Sequence, residues 1–122
     1  MPGKKILVVD DEPNVVRTLT FVLKKEGYDV SSAGNGEEAL SRVHESKPDM
    51  MFLDVMMPKK NGYEVCQELK SNSGSCDIHI IMLSAKGQEA DREKALTLGA
   101  DEFMTKPFSP LGVVERVKAL LG

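Results

Sequence analysis

Tryptophan is absent, aromatics make up 5% of the chain, and only two cysteines and two histidines occur among 122 residues. Each scarcity excludes something. Cys66 and Cys76 lack metal-type spacing, and in a chain without a secretory signal they read as two reduced thiols rather than a disulfide. His44 and His79 lie far apart and read as a helix-surface residue and a strand residue. Positive charge is not in excess: the net charge is −3 and the pI about 5.4. That leaves no basic footprint for nucleic acid, and no direct nucleic-acid binding is expected. Long apolar runs are missing too. Ile6 to Val9, the longest near the N-terminus, is far too short for a signal peptide or a membrane span. A cytoplasmic chain with no membrane contact is the expectation. There is no internal repeat, low-complexity tract or interdomain linker, so residues 1–122 are expected to form a single domain.

What is present is a regular alternation of two periods. The composition, 41% hydrophobic and 29% charged, suits a buried core with a solvated surface. "KKILVVD" (4–10) reads as a buried strand, and Val15, Val16, Leu19, Val22 and Leu23 then follow at helical spacing up to Gly27. A short strand over 28–33 precedes a helix over 36–47. A third strand covers 48–54, and Gly62, Val65, Cys66 and Leu69 mark a third helix. Ile78 to Leu83 is a fourth strand, followed by a helix from Gln88 to Leu98 that stops at Gly99. Residues 100–105 form a fifth strand and 110–121 a last helix. Five strands alternating with five helices predict an α/β fold with a parallel sheet covered on both faces. The fourth helix has no large apolar residue in its first two turns. It should pack weakly, which marks it as a candidate for movement or partner contact.

In such a sheet, ligands bind beyond the carboxyl ends of the strands. Those ends carry Asp10 and Asp11, Asp54, Ser84, and the run Thr105, Lys106, Pro107. Each has an ordinary explanation; Asp11, before Glu12 and Pro13, would serve as a helix cap. Their conjunction at one rim argues otherwise. Three neighbouring carboxylates repel one another, and a single lysine cannot neutralise them. A hard divalent cation can, and oxygen-only ligands favour Mg²⁺ over Zn²⁺. Mg²⁺ beside a lysine suggests a clamp for a phosphoryl group. Adjacent Asp10 and Asp11 suit metal binding. Asp54 stands alone at the end of a buried strand and suits the nucleophile, whose product would be an acyl phosphate.

The motifs "ILVVDDEP", "PDMMFLDVMMPKKNGYEV", "IIMLSAKG" and "GADEFMTKPFSP" span nearly the whole chain. In order and separation they resemble the receiver domains of bacterial two-component response regulators. The resemblance implies a flavodoxin-like doubly wound five-stranded parallel sheet in the order 2-1-3-4-5. It implies that Asp54 takes a phosphoryl group from a phosphohistidine on a sensor histidine kinase. Asp11 would be a direct Mg²⁺ ligand and Asp10 an outer-shell one, with the Met56 backbone carbonyl as a further ligand. Ser84 would be the switch hydroxyl, and Lys106 would pair with a phosphoryl oxygen beside a cis Lys106–Pro107 bond. Phe103 falls on the aromatic switch position, where the family often has tyrosine, so any switch here works by packing alone. The face made by the fourth helix, fifth strand and fifth helix would signal to an output domain or partner protein. Arg92, Asp101, Glu102, Arg116 and Lys118 lie on or near it.

"AKGQEADR" and "KPFSP" resemble regulators that pair through this face and carry a winged DNA-binding domain, so a phosphorylation-dependent homodimer is a candidate. Gly112 and Val113 replace the charged stretch usual after "FSP", removing an interface ion pair. Ending at Gly122, the chain reads either as a stand-alone receiver or as one separated from an output domain. Met56 and Lys86, two places beyond Asp54 and Ser84, are candidate determinants of acyl-phosphate lifetime. No turnover of external substrates is expected, and three rivals stay open. A phosphatase with an aspartyl intermediate would want an acid where Met56 stands. A flavin carrier would want a hydroxyl- and glycine-rich loop where "DDEPN" stands. A pseudo-receiver would lack an acid or the lysine.

Overall fold

The computed structural model describes residues 4–57, 59–85 and 89–122. Five strands and five helices alternate strictly: β1 Lys5–Val9, α1 Pro13–Lys25, β2 Asp29–Ala33, α2 Gly36–Glu45, β3 Met50–Asp54, α3 Gly62–Lys70, β4 His79–Ser84, α4 Glu89–Thr97, β5 Glu102–Thr105 and α5 Pro110–Leu121. All strand pairs are parallel, and their order is β2-β1-β3-β4-β5.

The unbroken apolar runs follow from burial on both faces. Side chains alternate across a strand, so each run feeds two cores. Leu7, Val9, Met51, Leu53, Ile80 and Met82 point to one side, against Ala39 and Val43 of α2, Val65, Cys66 and Leu69 of α3, and Ala95 of α4. Ile6, Val8, Met50, Phe52, Ile81 and Leu83 point to the other, against Leu19 and Leu23 of α1 and Val113, Val114 and Val117 of α5. Every one of these twelve strand side chains is at most 1% exposed. A single-faced sheet would have forced polar residues into alternate positions.

Helix starts are fixed locally. Asn35 accepts a hydrogen bond from Glu38 N at 2.9 Å, Asn61 and Glu64 form a reciprocal capping box, and Ser109 Oγ accepts from Gly112 N at 3.1 Å. Gly27 and Gly99 follow α1 and α4 at φ +94° and +106°, the left-handed conformation that ends a helix at low steric cost. Boundaries shift slightly from the sequence-based reading. α2 stops at Glu45 rather than 47. β5 is shorter than 100–105, because Ala100 N donates back to Ala95 O to close α4. The predicted helix start Gln88 and the residue Lys86 lie outside the described residues. Within the described part of α4 the one fully buried side chain is Ala95, and Leu96 is 40% exposed, as weak packing requires. Cys66 is buried and Cys76 exposed, both as free thiols. Among the described residues no helix is long and apolar enough to cross a membrane.

Candidate functional site

Parallel strands deliver their C-terminal ends to one edge, and this edge collects the polar residues. β3 ends on Asp54, β4 ends on Ser84, and Asp10 and Lys106 directly follow β1 and β5. Lys106 N donates to Ser84 O at 2.8 Å, continuing the sheet past β5. The Lys106–Pro107 peptide is cis. Asp10, Asp11 and Asp54 each offer a carboxylate oxygen, all within 4.8 Å of one another. Asp10 and Asp54 are buried, at 2% and 4% exposure, while Asp11 is open to solvent.

The lysine enters this cluster from the far edge. Its Nζ lies 2.8 Å from Asp10 Oδ2, 3.1 Å from Glu12 Oε1 and 3.4 Å from Asp54 Oδ1. The Asp10 contact is an ion pair outside hydrogen-bond angles, so Oδ2 has a charge partner but no directed donor. Asp10 Oδ1 accepts from Glu12 N at 2.9 Å. Burial, with the negative charge of Asp10 next, raises the Asp54 carboxyl from 3.8 to about 6, against the opposing pull of Lys106. Burial alone would lower Lys106, but its contacts with Asp10 and Glu12 and the charges of Asp10 and Asp54 raise its pKa above the ordinary value. One ammonium therefore does not neutralise the cluster. Two buried acids, a third at the rim, an oxygen without a directed donor and no nitrogen or sulfur ligand fit a hard divalent cation.

The chain sits tightly behind Asp54. Gly62 opens α3 with its N–H donating to Val55 O at 2.9 Å. A Cβ at residue 62 would stand 2.1 Å from the Asp54 carbonyl oxygen, so only glycine lets α3 start there. Met56, in the loop leaving β3, is 69% exposed. Ser84 is buried at 4% exposure. Phe103 is half-buried against the core under α2, α3 and α4.

The structure brings Asp10, Asp11, Asp54 and Lys106 together, with Ser84 on the same edge. The helix-cap explanation for Asp11 does not hold, since Glu12 is the N-cap of α1. Residues expected on the face of α4, β5 and α5 divide. Glu102 accepts a hydrogen bond from Arg116 Nε and pairs with His79 Nε2 at 2.7 Å. Desolvation would raise the Glu102 carboxyl, but Arg116 and His79 together hold it below its ordinary value. Asp101 Oδ2 accepts from Lys70 Nζ and from Ile80 N, each at 2.8 Å. Lys118 turns to Glu26 at the end of α1, at 2.6 Å. Arg92 is exposed. Sequence reasoning did not find Glu12 as a lysine partner. The available signal was a glutamate immediately before Pro13, where a shorter capping side chain is preferred.

Residues 6–118 match the family model for the response regulator receiver domain. The alkaline phosphatase synthesis transcriptional regulatory protein PhoP of Bacillus subtilis (strain 168) is 52% identical over 119 residues, covering 98% of this chain and 49% of that protein. The probable transcriptional regulator ycf27 of Cyanophora paradoxa is 52% identical over 118 residues, covering 97% and 48%. The chain thus spans about half the length of the curated relatives it matches. Among solved structures, the signal receiver domain of a signal transduction histidine kinase from Syntrophus aciditrophicus aligns with a TM-score of 0.90 at 34% identity, covering 98% of this chain and 90% of that one. The chemotaxis response regulator CheY4 of Vibrio cholerae aligns at 0.91 with 27% identity, covering 98% and 99%. With the matched region reaching from β1 into α5, the chain belongs to the response regulator receiver domains, the phosphoryl-accepting signalling domains of two-component systems.

Proposed function

We propose that Asp54 is the phosphoacceptor of this receiver domain and that residues 1–122 work as one unit. A carboxylate oxygen of Asp54 attacks phosphorus. The bond from phosphorus to the donor's imidazole nitrogen breaks, and an acyl phosphate forms on Asp54. Lys106, 3.4 Å from Asp54 Oδ1, stabilises charge on the transferring group, and the Ser84 hydroxyl donates a hydrogen bond to one of its oxygens. Asp10, Asp11 and Asp54, with the backbone carbonyl of Met56, would hold Mg²⁺, which supplies charge neutralisation for the phosphoryl oxygens. Phe103 is the candidate packing switch. The donor is the phosphohistidine of a sensor kinase, in the cytoplasm. The domain is a switch and turns over no external substrate.

The single observation behind this reading is the meeting of three aspartates within 4.8 Å of one another beside Lys106. Mass spectrometry after incubation with acetyl phosphate and Mg²⁺ tests it. A gain of one phosphate that Asp54→Ala abolishes is expected; a gain that survives that substitution defeats it. Exposed Met56 shields the acyl phosphate from water, and an unchanged dephosphorylation rate in Met56→Asn would refute that role.

The output would pass through the face of α4, β5 and α5 to an output domain, a partner protein or a second copy. Two acids there, Asp101 and Glu102, already have partners within the chain. A homodimer through this face would exchange those bonds rather than add to them.

A further inference from the structure

Glu12 breaks a local rule. It is the N-cap of α1, with φ −90° and ψ 113°, yet its side chain makes no capping hydrogen bond. Serine, threonine, aspartate and asparagine are preferred there because a short side chain reaches the free N–H groups of the first turn. The Glu12 carboxylate instead accepts a hydrogen bond from Lys106 Nζ at 3.1 Å, across 94 positions of sequence. The two ends of that contact differ in burial: the lysine side chain is 10% exposed and the glutamate 58%. The ammonium thus has inner partners, Asp10 and Asp54, and one outer partner, Glu12. A cation held by Asp10, Asp11 and Asp54 competes with the ammonium for the inner partners alone, because Glu12 stands outside that cluster.

We infer that Glu12 is a positioning residue: it keeps Lys106 at the site when a divalent cation claims Asp10 and Asp54. The inference rests on the reading of the aspartate cluster as a Mg²⁺ site. Without Glu12 the ammonium has no second home. It then defends its contacts with Asp10 and Asp54, and the cation binds more weakly.

A double-mutant cycle on Mg²⁺ affinity, followed by calorimetry on the unphosphorylated chain, tests this. Glu12→Gln should weaken Mg²⁺ binding about threefold, the size expected of a partly exposed ion pair. In the Lys106→Gln background the same change should have no effect. Glu12→Asp, charged but one methylene shorter, should behave as Glu12→Gln, because reach and not charge alone is at stake. Unchanged melting by circular dichroism would show that the cap itself is not what was lost. Equal weakening in both backgrounds, or none with Lys106 present, overturns the role of Glu12 while leaving the Mg²⁺ site standing. If the unaltered chain binds no Mg²⁺, the site reading fails and this inference with it.

Discussion

Asp54 pairs its proposed role as phosphoacceptor with a thermodynamic cost. Its carboxyl is raised from 3.8 to about 6 in the folded protein. Between those values the native state binds more protons than the unfolded chain. Stability of the metal-free protein therefore falls as pH rises through that window, and the full cost is present above it. Asp54→Asn removes the cost, while Asp10 and Glu12 keep Lys106 paired. We expect that variant, free of metal, to be more stable at pH 7 by about 2 kcal/mol in urea unfolding. The gain should shrink as pH falls toward 4. A variant less stable than the parent at pH 7 would show that Asp54 is favourably paired rather than penalised.

At the scale of elements, the site depends on how α3 meets β3. The prospective Cβ of residue 62 falls 2.1 Å from the Asp54 carbonyl oxygen, and backbone cannot move aside as a side chain can. Gly62→Ala should destabilise the protein by about 3 kcal/mol in denaturant unfolding and weaken the proposed Mg²⁺ binding, because the strain falls on the backbone of Asp54 itself. An unchanged midpoint would mean that α3 relaxes freely. α4 is the opposite case. Its described part anchors through Ala95 with little other apolar burial, whereas α1 buries Leu19 and Leu23 completely. Amides of α4 should exchange with deuterium faster than those of α1, by about tenfold or more, through local opening. Equal protection would remove the basis for treating α4 as the pliable element. Only one of these two features was legible beforehand. The lack of large apolar residues in α4 is a local pattern. The contact of Gly62 is not, since its partner, Asp54, lies in the preceding strand.

For the whole molecule, charge sets one expectation. Acids exceed bases by 19 to 16, and the aspartates at the site add local negative potential. The isolated chain should leave non-specific duplex DNA unretarded at physiological salt, since such binding needs several cationic contacts to phosphate. A salt-sensitive complex would reveal a basic surface that the composition conceals.

Much of the architecture was written in one dimension. Runs such as Met50 to Leu53 and Ile78 to Leu83, alternating with helical stripes, required a parallel sheet covered on both faces, because only such a sheet dries both sides of a strand. Asp10, Asp11, Asp54, Ser84 and Lys106 could be placed at strand ends for the same reason. Tertiary structure alone decided the individual ion pairs, at that rim and elsewhere. Lys106 reaches Asp10, Glu12 and Asp54 from the opposite end of the chain, Glu102 draws in His79 and Arg116, and Lys118 turns to Glu26. Apolar periodicity repeats along the sequence and can be read there. The pairing of two ions depends on a few ångströms between segments that the sequence sets far apart.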